Sequence, residues 1–273
     1  LISRGDVVVP SQQVKKSQPT GKTWLASKKV TSVTAPTTLR IAETFASRQG
    51  EGALTGVPSF FIRTSGCNLR CWFCDTPYAS WKPEGERLTT DELIEQVRSA
   101  SIPDLDEPIR HVVLTGGEPL IAAGITELSD RLRAEGYHIT IETAGTVDIE
   151  IDCDLLSLSP KLRASGPNAV DHPAWAKTHE KRRLPIQVMQ KLMARSAAYQ
   201  VKFVVDSAEE FEEIESVVQA LGVQPEDVWI MPQGVTVEQL DAARHWLTDW
   251  CEERSFVYCD RMQIRWYGNR RGT

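Results

Sequence analysis

The sequence predicts an α/β fold, a partial barrel built from about six parallel βα units. Three observations carry that expectation. Short apolar runs alternate with helical patterns along most of the chain. Such units are too few to close an eight-stranded barrel. The polar, glycine-bearing motifs each fall just after a predicted strand, the end where chemistry gathers in such folds.

Taken in order, residues 59–64 (SFFIRT) read as a short buried strand that ends at a cysteine loop. Residues 88–100 read as a helix opened by the capping box of Thr89 and Glu92. Residues 110–114 form a strand stopped by Thr115-Gly116-Gly117-Glu118-Pro119. A helix over 122–135 and a strand over 137–142 follow, then a strand over 153–158 halted by Ser159-Pro160-Lys161. Residues 163–183 are polar and contain proline, so they read as a loop or insertion. Residues 199–205 (YQVKFVV) are a strand, followed by a helix capped at Ser207 and Glu210. A strand over 228–231 ends at Pro232, a helix spans 236–253 with Thr236 and Gln239 as its capping box, and 256–259 reads as a last strand.

Composition bounds the function. With 41% hydrophobic and 25% charged residues, 273 residues suffice for a substantial core. No apolar run approaches the roughly 20 residues of a membrane helix, and a net charge of −6 argues against nucleic acid as a partner. Residues 1–40 hold seven Lys or Arg and one acid, Asp6, so the remainder carries −12. The organisation expected is a disordered basic tail over 1–38 and one domain over 39–273. Deleting that tail should leave stability and activity nearly unchanged, because a segment so poor in apolar residues buries little surface; melting and turnover of the truncated chain test this.

Three of six cysteines stand within eight residues, Cys67-Asn-Leu-Arg-Cys71-Trp-Phe-Cys74. With no apolar export signal, that crowding points to a metal site in a reducing, cytoplasmic compartment rather than to disulfides. Three thiolates can hold three irons of a cubane cluster and leave the fourth open to a small molecule. A structural zinc site would need a fourth Cys or His at finger-like spacing. Cys153, Cys251 and Cys259 are distant in sequence and read as buried, inert residues.

The C-x3-C-x2-C spacing with an aromatic before the last Cys resembles the radical S-adenosylmethionine (SAM) superfamily, and Gly116-Gly117-Glu118-Pro119 matches its next marker. Residues 45–52 (FASRQGEG), Gly56, Pro58, residues 61–63 (FIR) and Asp75-Thr76 narrow the resemblance to the 7-carboxy-7-deazaguanine synthase family, from residue 41 onward. The resemblance implies a radical SAM barrel and a [4Fe–4S] cluster on Cys67, Cys71 and Cys74. It implies SAM against Phe73, Cys74, Asp75, Gly117, Ser159, Pro160, Lys161, Met231, Pro232, Gln233 and Gly234, with Mg²⁺ on Thr76. The implied substrate, 6-carboxy-5,6,7,8-tetrahydropterin, is assigned to Arg48, Gln49, Gly50, Glu51, Arg63, Thr115 and Thr273. Arg63 suits its carboxylate because a guanidinium offers paired donors.

The implied reaction is hydrogen abstraction at C6, ring contraction and loss of ammonia, with SAM regenerated. An electron donor such as flavodoxin or ferredoxin and a homodimer are implied too. A glycyl-radical activating enzyme shares the cysteines and GGEP but has no use for QGEG. An iron–sulfur or zinc regulatory protein lacks a visible binding module. On the plainer reading Glu51 and Arg63 form a salt bridge and Thr76 is an N-cap.

Overall fold

The computed structural model describes residues 36–103 and 105–273. The chain forms β1 (Thr38–Arg48), β2 (Pro58–Thr64), β3 (Glu86–Thr89), α1 (Thr90–Ser99), β4 (His111–Gly116), α2 (Ile125–Ala134), β5 (His138–Thr143) and β6 (Leu155–Leu158). It continues through α3 (Pro173–Arg182), α4 (Ile186–Arg195), β7 (Tyr199–Val205), α5 (Phe211–Leu221), β8 (Val228–Pro232), α6 (Val237–Arg254), β9 (Val257–Tyr258) and α7 (Met262–Tyr267). One sheet runs in the order β3-β1-β2-β4-β5-β6-β7-β8-β9. From β2 to β9 every neighbouring pair is parallel, while β1 lies antiparallel to both β2 and β3. The sheet ends on β3 and β9, so the barrel is partial, as expected.

Alternation along β2 decides which side chains meet the chemistry. Phe60 and Ile62 enter the hydrophobic core beneath the helices, while Phe61 and Arg63 line a cavity on the other face. The helices bury matching stripes, Leu93, Ile94 and Val97 on α1 and Ile214, Val217 and Leu221 on α5. The glycine-rich turn after β4 is a close approach of backbones. A Cβ on Gly117 would stand 2.2 Å from the Gly66 carbonyl oxygen and 2.5 Å from that of Ala79.

Several elements differ from the sequence reading. The 88–100 helix starts at Thr90, because its cap, Thr89, must be extended to receive the Glu92 N–H; Leu88 belongs to β3. Gly124 at φ 87° delays α2 until Ile125, after a short 3₁₀ turn at Pro119–Ile121. The region over 163–183 is not plain loop: it holds a 3₁₀ turn, Arg163–Ser165, and all of α3. Elements β1, β3, α4 and α7 are absent from the sequence reading. The expected tail lies outside the described residues except for 36–38. Thr38 opens β1 and the Thr37 carbonyl accepts from the Thr90 N–H at 3.1 Å, so a truncation should stop at residue 35. Among the described residues no helix is long and apolar enough to cross a membrane.

Candidate active site

A cavity of about 250 Å³ opens at the carboxyl ends of the parallel strands. Every residue assigned from the sequence to the cluster, SAM, Mg²⁺ or substrate lines it except Pro160, Pro232 and Gly234. Cys67, Cys71 and Cys74 share one wall, and none is in a disulfide. Among the described residues no three His, Cys, Asp or Glu side chains are grouped to hold a single metal ion. Three thiols facing one cavity without closing on a point fit a multi-iron cluster better than a lone zinc. Burial pushes the Cys67 thiol up to about 12 and the Cys71 thiol up to about 11, so these groups become thiolates only against a positive partner such as iron. Cys153 and Cys251 are buried elsewhere, and the Cys259 sulfur accepts the Gly52 N–H at 3.2 Å.

The cysteine loop is held from outside by the segment that reads as polar filler in sequence. His179, on α3 and 1% exposed, accepts the Arg70 N–H at Nδ1 over 3.2 Å. Its Nε2 stands 3.0 Å from the Ser165 hydroxyl, which itself donates to the Leu162 carbonyl, so the network assigns the proton to Nε2. The Trp72 N–H donates to the Ser165 carbonyl, and its indole N–H to that of Ala164. The Arg70 guanidinium lies 3.9 Å from the Trp175 ring centroid.

Burial lowers the His179 pKa from 6.5 to about 4, so the folded protein holds the neutral ring. Above pH 6.5 both folded and unfolded rings are neutral, and this contribution to stability is complete. As pH falls toward 4 the unfolded chain gains a proton that the folded one refuses, and stability is lost. The urea midpoint should therefore drop across that window, and less so in His179→Gln, whose amide cannot titrate.

Glu118 of the GGEP turn points away from the cavity. It is fully buried and accepts from the Thr143 hydroxyl at 2.6 Å, the Leu120 N–H at 3.1 Å and the Ala144 N–H at 2.9 Å. Burial raises its pKa and these donors oppose the rise. Glu118 thus ties GGEP to the loop after β5, leaving Gly116 and Gly117 as the cavity wall.

The charged side of the cavity rules out the plainer alternative, for Glu51 and Arg63 are not partners. Arg63 donates from Nε to Glu43 at 2.7 Å, and Tyr78 and Arg271 donate to the same carboxylate at 2.7 and 3.0 Å. A bulge between Ile41 and Glu43 sets Glu43 opposite Arg63 across the β1–β2 ladder. Glu51 instead accepts from Lys202, from Arg261 at 3.1 Å and from Gln263 at 2.6 Å. Lys202 and Arg261 hold its carboxyl far below the usual range despite burial. Thr76 caps no helix; it sits in a turn, its hydroxyl 3.7 Å from the Cys74 sulfur. Glu43, Lys202, Arg261 and Gln263 are absent from the sequence reading, and only Lys202, a charge in the largely apolar β7, carries a local signal.

The sequence profile of the radical SAM superfamily matches residues 61–173. The 7-carboxy-7-deazaguanine synthase of Rhodopirellula baltica is 63% identical over 235 residues, which cover 86% of this chain and 89% of the relative. The synthase of Halobacterium salinarum is 42% identical over 236 residues, 83% of this chain and 89% of the relative. The crystal structure of QueE from Escherichia coli superposes with a TM-score of 0.61 at 23% identity, covering 82% of this chain and 94% of that one, a likeness of fold.

Proposed function

The chain belongs to the 7-carboxy-7-deazaguanine synthase family of radical SAM enzymes, and on that premise we propose how its cavity contracts a carboxypterin. The reaction takes 6-carboxy-5,6,7,8-tetrahydropterin to 7-carboxy-7-deazaguanine with loss of ammonia, which makes the enzyme a carbon–nitrogen lyase. The single observation that carries this reading is the cavity itself, which three cysteines line together with half-buried Arg63 and Glu51 and buried Lys202.

Cys67, Cys71 and Cys74 hold the cluster. When bound, the cluster and SAM supply the 5′-deoxyadenosyl radical that abstracts hydrogen from C6. The chain's own work is binding and orientation. Glu43 takes the Nε of Arg63, which keeps the guanidinium plane fixed with its two terminal amines toward the cavity. Those amines form the clamp for the substrate carboxylate. Glu51, kept anionic by Lys202 and Arg261, accepts N–H groups from the pyrimidine edge, and Gln49, pinned to the Ser59 hydroxyl at 2.9 Å, presents its amide beside it. Arg48, Gly50, Thr115 and Thr273 complete the substrate wall, and Phe73, Asp75, Gly117, Ser159, Lys161, Met231 and Gln233 the SAM wall. Pro160, Pro232 and Gly234 shape the backbone of the SAM loops from behind that wall.

Thr76 would offer a neutral oxygen to Mg²⁺, a hard cation that would help hold the negative charge of the substrate. Thr76→Ala should therefore weaken the response of turnover to added Mg²⁺; an unaltered Mg²⁺ titration removes Thr76 from the site. The enzyme is cytoplasmic and homodimeric and takes its electron from a flavodoxin or ferredoxin. The charged residues lining the cavity suit a small polar substrate, whereas a glycyl-radical activating enzyme would require a protein substrate. Anaerobic incubation of the reconstituted enzyme with SAM, reductant, Mg²⁺ and the carboxypterin should give a product of the mass of 7-carboxy-7-deazaguanine; intact substrate after SAM cleavage would reject the assignment.

A further inference from the structure

Three loops with separate tasks in this reading meet at one side chain that the sequence reading passed over. Arg261 is 6% exposed and stands directly before α7. Its Nε donates to Glu51 Oε1 at 3.1 Å, its Nη1 to the Gly234 carbonyl at 2.7 Å, and its Nη2 to Asp75 Oδ2 at 2.5 Å. Glu51 belongs to the substrate loop, Asp75 follows the last cluster cysteine, and Gly234 lies in the loop after β8. One planar guanidinium therefore bridges both halves of the cavity.

The surrounding contacts make this bridge stiff. The Met262 N–H donates to the Gly50 carbonyl at 2.9 Å, and the Gln263 amide reaches the same Glu51 oxygen that Arg261 holds. A Cβ on Gly50 would lie 2.7 Å from the Gln263 backbone nitrogen, so the substrate loop rests directly on the start of α7. Asp75 is the exposed end of the chain of charges, with its side chain 42% exposed against 7% for Arg261. A ligand that orders the Asp75 and Gly234 loops thereby orders Arg261, and through it the carboxylate awaiting the other ligand.

We propose that Arg261 is a positioning residue that couples SAM binding to substrate binding, by tying the SAM-side loops at Asp75 and Gly234 to the substrate-side carboxylate of Glu51. The proposal rests on the functional reading above. Coupling is reciprocal: if SAM raises the affinity for the carboxypterin by some factor, the pterin raises the affinity for SAM by the same factor. Lysine cannot replace this arginine, because one ammonium offers no fork that spans two carboxylates and a carbonyl.

The test is calorimetric and needs no turnover. Cluster-reconstituted enzyme without reductant is titrated with SAM in the presence and absence of 6-carboxytetrahydropterin, and the reverse. Wild type should show coupling on the order of tenfold. Arg261→Met and Arg261→Lys should both bring the factor close to one. Gln263→Ala, which touches Glu51 but not Asp75, should weaken pterin binding and keep the coupling. Should Arg261→Met fold poorly, Asp75→Ala removes the acceptor at the exposed end of the bridge and should abolish coupling as well. An unchanged factor in Arg261→Met or Asp75→Ala, or no coupling in wild type that binds both ligands, overturns the proposal. Failure of the wild type to bind the pterin at all overturns instead the functional reading beneath it.

Discussion

Replacing any one of Cys67, Cys71 or Cys74 with alanine should take the reconstituted protein from about four irons per chain to nearly none, with loss of its brown absorbance. The expectation follows from what stands near each thiol. The Ser80 hydroxyl lies 3.1 Å from the Cys74 sulfur, and Thr76 lies beyond it, but a neutral hydroxyl is a poor stand-in for a thiolate. Two thiolates cannot retain a cubane whose fourth iron has no protein ligand. Alanine at Cys153 or Cys251 should leave iron content unchanged, since both are buried away from the cavity. Alanine at Cys259 should also keep the cluster, though it removes the sulfur that accepts the Gly52 N–H and so loosens the substrate loop. Stoichiometric zinc with no uptake of iron in the wild type would contradict this account at its base.

The second large effect concerns Arg63. Arg63→Lys keeps the charge and should still lower kcat/KM with the carboxypterin by roughly ten- to a hundredfold, the cost of about 1.5–3 kcal/mol for a charge-assisted hydrogen bond. Arg63 lines the cavity and gives its Nε to Glu43, which on this proposal leaves its terminal amines for the substrate. A lysine ammonium serves one of these tasks and abandons the other. Glu43 keeps Tyr78 and Arg271, so the fold should tolerate the change, and melting of the variant checks that. Uncoupled SAM cleavage should fall far less, because Arg63 stands on the substrate side. Wild-type kinetics in Arg63→Lys would show that the carboxylate lies elsewhere.

Much of this was legible in the sequence, and the failures have physical causes. The buried parallel strands read correctly because residues such as 112–114 form unbroken apolar runs, and the motif-bearing loops follow them. The capping boxes at Thr89 and Thr236 are local hydrogen-bond patterns, and both form. Helix α4 carried a readable stripe, Met189, Leu192 and Met193, that was overlooked. Helix α3 carried none, since His179 is its one buried residue, and its role in bracing the cysteine loop exists only in three dimensions. The same holds for charge. Lys202 sits in an apolar strand and meets Glu51 across 151 residues, while Arg261 meets it across 210. No periodicity encodes such pairs. The plainer alternative, a Glu51–Arg63 bridge, fails because the bulge in β1 brings Arg63 a nearer partner, Glu43.

The central claim is that one cavity holds both SAM and the carboxypterin and returns the radical to SAM after each ring contraction. The most direct measurement is the ratio of 7-carboxy-7-deazaguanine formed to SAM consumed under anaerobic, reducing conditions with Mg²⁺. This account expects many products per chain, one ammonia released with each, and little SAM destroyed. A ratio at or below one, with 5′-deoxyadenosine accumulating in step with product, would contradict it.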